Sequence, residues 1–243
     1  MAEPGEAAFG SRPARRAKVD RIFDHNPDTR SLFLTPIDSR PVRFVPGQFI
    51  SIAIVLPDET RTRAYTIASR PEDGAPFEIC FNRVVNGRGV EWLFQRQVGD
   101  ALDFIGPFGS FTMERLPDAD LVFIADGTAI APIRPMIHRV MSMPNHRRVN
   151  LLYVASKPEH LLYRDEFESY AASTPQFAFD TMIAARTEMH ERLLEEVDRR
   201  WVKADADRTR QFYVCGVGKG VVAIRDVLRS AGYERRAVHY EQW

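Results

Sequence analysis

Cysteine is almost absent: Cys80 and Cys215 are the only two in 243 residues. Two thiols make no disulfide framework and cannot ligate a four-cysteine zinc or iron–sulfur site within the chain. They fit a reducing, cytoplasmic location. Excess charge is absent too, with 33 Lys and Arg set against 33 Asp and Glu. No net field therefore draws the chain to nucleic acid or to an anionic membrane. No apolar run reaches the roughly 20 residues of a membrane span. His25, His138, His146, His160, His190 and His239 follow no metal-ligand spacing, and no Gly-x-Ser-x-Gly elbow occurs. Zinc and hydrolytic chemistry lack support, and no metal is expected. Arg12, Arg15, Arg16 and Lys18 precede no apolar core, which argues against a secretory signal. Residues 1–16, rich in Gly, Ala, Pro and Arg, are expected to form a flexible leader.

What is present is a pattern that changes once. Over 17–115, the runs Ala17–Asp24, Arg30–Thr35, Gln48–Val55, Arg63–Ser69, Phe77–Val85 and Ala101–Ile105 read as strands. Pro46-Gly47, Pro57-Asp58 and Gly99-Asp100 punctuate them. Short strands at this spacing predict an antiparallel β-barrel. One helix interrupts, with Val90, Leu93 and Phe94 on one face after Asn86-Gly87-Arg88-Gly89. Over 116–243, strands alternate with amphipathic helices. Leu121–Ala125 is near-continuously apolar, as a buried parallel strand requires. Further strands are expected at Leu151–Ala155, Phe177–Ile183, Phe212–Cys215 and Ala237–Gln242. Helices are expected at Asp165–Ala172, at Glu191–Trp201 and at Val221–Ala231, the last capped by Gly232. This alternation predicts a doubly wound parallel sheet.

Several stretches carry chemistry. In Arg63-Ala64-Tyr65-Thr66, alternation puts Arg63 and Tyr65 on one face and Ala64 and Thr66 on the other. Arg is suited to clamp a pyrophosphate, Tyr gives an aromatic face with a polar tip, and Thr gives a hydroxyl. The same four residues also read as an ordinary strand. Gly87, Arg88, Gly89 and Val90 open a helix, either as an anion site or as a plain loop. Gly127-Thr128 and Cys215-Gly216 close two apolar strands, at the end where doubly wound sheets bind ligands. Cys215 reads equally as inert packing. Arg186 follows another strand, either gripping a 2′-phosphate or simply exposed.

Taken in order, the motifs resemble the ferredoxin–NADP+ reductase superfamily, with its flavodoxin and oxygenase reductases, over nearly all of Ala17–Trp243. The matching residues are Pro46-Gly47-Gln48-Phe49, Arg63-Ala64-Tyr65-Thr66, Gly106-Pro107-Phe108-Gly109 and Gly127-Thr128-Ala129-Ile130-Ala131-Pro132. They continue with Leu161-Leu162-Tyr163-Arg164-Asp165-Glu166, Tyr213-Val214-Cys215-Gly216 and His239-Tyr240-Glu241-Gln242-Trp243. The resemblance implies an FAD-binding barrel over 17–115 and an NAD(P)-binding α/β domain over 116–243. It implies that Arg63 binds the flavin pyrophosphate, Tyr65 packs on the isoalloxazine and Thr66 bonds near its N5. Gly87 to Val90, with Arg88 and Gly89, would flank the flavin phosphates, and Ala64 would belong to the cofactor-binding set with Arg63, Tyr65 and Thr66. Gly127 and Thr128 would line the dinucleotide loop. Cys215, beside Gly216, and Glu241 would sit by the nicotinamide, and Trp243 would stack on the flavin as a gate.

Three departures stand out. The family usually shows Gly-Gly-Thr-Gly where this chain has Asp126-Gly127-Thr128-Ala129. An acid there repels a pyrophosphate unless it points away. Val90 replaces a usual Ser or Thr, and 186–201 lacks the family's Trp-x-Gly element. The implied function is an FAD-dependent oxidoreductase moving electrons between NADP, or NAD, and a separate ferredoxin, flavodoxin or oxygenase component. The alternatives are a flavin-holding subunit of a larger complex with weak or lost nicotinamide binding, and a flavin-free interaction protein. FAD is expected rather than FMN, because the Gly-rich helix start serves a second phosphate. Arg186 favours NADP.

Overall fold

The computed structural model describes residues 8–10, 13–74, 76–144 and 146–243. The chain separates into two compact units: one runs to Glu114 and takes in Arg134–Arg139, and the other comprises Arg115–Ile133 and Val140–Trp243.

Among the described residues the first unit holds six strands: β1 (Arg15–Asn26), β2 (Thr29–Pro36), β3 (Phe49–Val55), β4 (Thr60–Thr66), β5 (Phe77–Asn82) and β6 (Ala101–Phe108). They form one antiparallel sheet in the order β4-β3-β6-β1-β2-β5. A bridge between Ile67 and Ile79 and an Ala68 N–H bond to the Glu78 carbonyl at 2.8 Å bring its two edges together as a barrel. Alternation dictates what lies inside. In β3, Ile50, Ile52 and Ile54 are fully buried with Leu32, Phe77 and Phe104. The strand expected at Arg63–Ser69 starts earlier and stops at Thr66, because Ile67 and Ala68 leave β3 to pair with β5. Gly47 precedes β3 with φ +100°, and a Cβ there would stand 2.0 Å from the Phe111 carbonyl oxygen, so only glycine fits. The helix α1 (Arg88–Phe94) buries Val90 and Leu93.

Much of the leader expected over residues 1–16 lies outside the described residues. Within it, Phe9 is buried in a small cluster with Ala53 and Ile105, and β1 begins at Arg15.

The second unit holds β7 (Leu121–Asp126), β8 (Val149–Ala155), β9 (Phe177–Ile183), β10 (Gln211–Gly216) and β11 (Val238–Gln242). Their order is β11-β10-β7-β8-β9, and every pairing is parallel. All six residues of β7 are buried, as a central strand covered on both faces must be. The helices are α2 (Ile130–Met141), α3 (Arg164–Ser173), α4 (Met189–Val197) and α5 (Gly220–Ser230). α4 runs into a π-helical turn over Asp198–Lys203. That turn still carries Trp201 inward, where it meets Phe212 edge-on at 6.0 Å. No helix among the described residues is long and apolar enough to cross a membrane.

Candidate functional site

In the first unit the register of β4 sets the chemistry. Tyr65 stands opposite Ile50 and Arg63 opposite Ile52, while Thr66 faces Phe49 and Ala64 faces Ser51. Opposed residues share a face, so Arg63 and Tyr65 lie together and Ala64 and Thr66 lie on the reverse. Tyr65 packs edge-on against Phe81 with ring centroids 5.7 Å apart. Burial pushes its phenol up to about 12, against the opposing pull of Arg63, so it remains a neutral hydrogen-bond donor. Thr66 is buried and Ala64 exposed.

Three arginines surround the β3–β4 hairpin and β4, and their partners differ. Arg61 pairs with Glu59 at 2.5 Å. Arg88 pairs with both Asp58 and Glu59. Arg63 donates only to the neighbouring Thr62 carbonyl, at 2.9 Å. Among the described residues it has no carboxylate partner, so its guanidinium fork is open to an anion. The turn before α1 is tight. Asn86 has φ 59°, and a Cβ on Gly87 would stand 2.8 Å from Val90 and 2.9 Å from Val84. A Cβ on Gly89 would be 3.8 Å from Arg63 Cγ, so this turn and Arg63 are neighbours. Val90 turns into the barrel core and offers only its backbone. α1 has seven residues, so any anion here would meet local N–H groups rather than a long helix dipole. The open cation, the neutral phenol and the glycine turn fit the diphosphate and ring edge of a flavin dinucleotide.

In the second unit the winding reverses between β7 and β10, the switch point where such sheets take ligands. Cys215 lies between Ala125 and Glu241 in register. Gly127 has φ +50° and opens the 3-10 turn Gly127–Ala129. The Tyr153 hydroxyl pins this turn by donating to the Gly127 carbonyl at 2.8 Å. The same hydroxyl accepts the Leu162 N–H at 3.0 Å, so the Leu161-Leu162-Tyr163 segment is held to the same loop. Ala129 is wholly buried, so its methyl sits on the protein side of the turn. Thr128 is half-buried.

Asp126 does not point out over that turn. Its carboxylate accepts the Val217 N–H at 3.2 and 3.3 Å, across the switch point. Burial raises its carboxyl above the ordinary range, while the Val217 N–H, His190 and Arg186 act in the opposite direction. Burial, followed by the charges of Glu241 and Asp126, pushes the Cys215 thiol well up. Glu241 is raised by burial and lowered by its bond from Trp243. That bond runs from Trp243 Nε1 to Glu241 Oε2 at 3.1 Å. Backbone bonds between Trp243 N–H and Gly216 O at 3.0 Å, and between Gly218 N–H and Trp243 O at 3.3 Å, extend the β10–β11 edge to the last residue. Arg186 is exposed in the loop between β9 and α4.

Asp126, Gly127, Cys215, Gly216 and Glu241 thus gather at the carboxyl ends of three adjacent strands. Sequence reasoning missed His190, whose Nε2 lies 3.9 Å from Asp126 Oδ2. No spacing could have signalled it, because only the packing of α4 brings it there. Among the described residues no cluster of three His, Cys, Asp or Glu side chains is placed to hold a metal ion.

Residues 16–113 match the model of the oxidoreductase FAD-binding domain, and residues 123–225 match that of the oxidoreductase NAD-binding domain. The chain is 27% identical over 235 residues to ferredoxin–NADP reductase B of Sorangium cellulosum, covering 93% of this chain and 96% of that protein. It is 23% identical over 235 residues to the toluate 1,2-dioxygenase electron transfer component of Pseudomonas putida, covering 94% of this chain and 67% of the other. The crystal structure of an Amycolatopsis cytochrome P450 reductase superposes with a TM-score of 0.80 at 22% identity, over 95% of this chain and 69% of that one.

Proposed function

The chain belongs to the ferredoxin–NADP+ reductase superfamily, and from that membership we propose how its residues divide the work of an FAD-dependent NAD(P)H oxidoreductase. The reaction moves electrons between a nicotinamide and a separate carrier. Bound FAD supplies the exchange between two-electron and one-electron chemistry. The protein's part is to bind, orient and exclude water.

Arg63 holds the flavin pyrophosphate, and Tyr65 packs against the ring and donates its phenol proton. Thr66 bonds at the ring edge. Gly87, Arg88, Gly89 and Val90 bring backbone N–H groups toward the phosphates. In this assignment Arg88 acts indirectly: Asp58 and Glu59 occupy its guanidinium, so it braces the turn. The single observation that carries the flavin assignment is Arg63, an exposed cation with no carboxylate partner among the described residues, beside a half-buried neutral phenol.

Gly127 and Thr128 take the dinucleotide's diphosphate, and Gly216 lets the nicotinamide approach β10. Cys215 acts there as a neutral thiol, since burial and two nearby carboxylates oppose its ionisation. Glu241 orients the Trp243 indole through its N–H, and Trp243 gates access to the flavin ring. Arg186 reads the 2′-phosphate of NADP. The carrier is a ferredoxin, a flavodoxin or an oxygenase component, because two cysteines give this chain no cluster of its own. The low cysteine content, with both thiols buried, supports a cytoplasmic setting.

The test is an absorbance spectrum of the purified protein, then anaerobic additions of NADPH and NADH. A flavin spectrum bleached by NADPH in preference to NADH supports the reading in full. Bound flavin bleached by neither would replace it with a flavin-holding subunit, and a colourless protein that takes up no flavin would remove it.

A further inference from the structure

Asp126 places an acid at the switch point of the second sheet. A dinucleotide carries its charge on a diphosphate, so an uncompensated carboxylate in that crevice opposes it. Glu241, one strand beyond Cys215, adds a second acid, and the thiol between them carries no positive charge. Arg186 acts on Asp126 from the exposed loop after β9, as the weakest of its influences.

The structure sets His190 against this acidity. The residue comes from α4, an element separate from β7 and β10. Its ring packs on the glycine turn that leads into α5. A Cβ on Gly220 would stand 2.7, 2.8 and 3.0 Å from its atoms, and one on Gly218 would stand 3.4 Å away. Gly220 is therefore needed for the ring to sit there, and Gly218 borders it at ordinary contact distance. Seated so, its Nε2 is 3.9 Å from Asp126 Oδ2, an ion-pair distance when the imidazole carries its second proton. The side chain remains 41% exposed, so part of the ring meets the carboxylate side and part meets solvent. Asp126 has a backbone partner in Val217 but no other basic side chain at ion-pair distance among the described residues.

We propose that His190 is a positioning residue for the nicotinamide dinucleotide: it keeps Asp126 turned onto Val217 and offsets its charge, so that the crevice accepts a diphosphate. This rests on the dinucleotide-binding reading given above. The two residues then work as a pair. Removing the imidazole exposes the carboxylate to the incoming anion, whereas removing both leaves only Glu241 to oppose it. A histidine that merely fills space over Gly220 would act alike whatever stands at 126.

The experiment is calorimetric titration of the full-length, FAD-loaded protein with NADP+ and with NAD+. The proteins compared are the unaltered chain, His190→Gln, Asp126→Asn, the double variant and His190→Lys. Circular dichroism and the thermal midpoint of each variant show that it is folded. His190→Gln is expected to raise Kd about tenfold when Asp126 is present, and about twofold or less in the Asp126→Asn background. His190→Lys, which keeps a cation, is expected to stay within about threefold of the unaltered protein. Equal factors in the two backgrounds, or a Lys variant as weak as the Gln variant, would overturn the proposal while leaving dinucleotide binding intact. An unaltered protein that binds neither nucleotide would overturn the functional reading and the proposal with it.

Discussion

Asp126 accepts the Val217 N–H across the ends of two adjacent parallel strands, at 3.2 and 3.3 Å. Gly216 lies under that bond: a Cβ on it would stand 2.6 Å from Asp126 Oδ2 and 3.1 Å from Val221. The glycine that ends β10 and the acid that ends β7 are thus a matched pair. On the dinucleotide-binding proposal, the contact explains how a carboxylate is accommodated there, since the acid is turned along the strand ends rather than out from the turn.

Gly216→Ala is therefore expected to push the carboxylate off Val217 and lower stability by about 1–3 kcal/mol, the range for overpacking or an unpaired buried donor. In an Asp126→Gly background the same substitution should cost less than about half as much, because the nearer clash partner and the bond it displaces are already gone. Urea unfolding of the two single variants, the double variant and the unaltered protein checks this. An identical loss with and without Asp126 would show that the two residues are uncoupled.

Arg63 and Arg61 lie two residues apart on one strand but have different neighbours. Arg61 pairs with Glu59, whereas among the described residues Arg63 bonds only a carbonyl. Losing a charge-assisted bond to an anion costs about 1.5–3 kcal/mol, or roughly a 10- to 150-fold rise in Kd. Arg63→Ala is expected to weaken FAD by that factor, and Arg61→Ala by less than about threefold. Flavin fluorescence titration of the apoprotein gives both numbers, and comparable losses would refute the special status of Arg63.

The fold was legible because period and burial agree. Ile50, Ile52 and Ile54 alternate in sequence and are fully buried in the barrel. Leu121–Ala125 is apolar throughout and proves to be the central strand of the parallel sheet. The β4 boundary was less legible, because the Arg63–Ser69 alternation continues past the point where Ile67 crosses to Ile79. A pattern of period two reports which face a residue takes, not which strand it pairs with. The motifs marked which residues stand at strand ends, but not their side-chain partners. Nothing in Asn86-Gly87-Arg88-Gly89 reveals that Asp58 and Glu59, some 30 residues earlier, hold Arg88. Nothing local to His190 reveals Asp126. The buried Ser31–Glu78 bond at 2.6 Å was equally hidden, since it joins two strands on the face away from Leu32 and Ile79, where an apolar pattern gives no sign of burial.

Both thiols are buried, and the Cys215 thiol is pushed well above its ordinary value of 9.0. A raised value favours folding at pH below the unfolded thiol's value, and that contribution is lost as pH climbs through the folded one. At pH 8 the native thiol is protonated as well as shielded. Ellman's reagent is expected to react at least about a hundredfold more slowly with the native protein than with the denatured one, because access requires local opening. Two thiols should then appear on denaturation. Fast labelling of Cys215 in the folded protein would contradict its placement.

His25 titrates in the opposite sense. Burial lowers its imidazole below 6.5, Glu78 and Asp24 pull it up, and Arg134 acts with the burial. Its Nε2 lies 2.8 Å from Ser31 Oγ. Because Ser31 gives its only proton to Glu78, it accepts from His25. A lowered folded value means that the native state binds fewer protons than the unfolded chain. The stability His25 contributes is therefore complete above pH 6.5 and falls away as pH drops through the folded value. His25→Gln keeps an N–H donor but removes the titration. The stability difference between the two proteins is expected to be flat from pH 7 to 8 and to shift in favour of the variant as pH falls from 6.5 to 5. Urea midpoints at half-unit steps would show this directly. A difference that stays constant, or that moves in favour of the unaltered protein on acidification, would mean that the native state holds the imidazole charged.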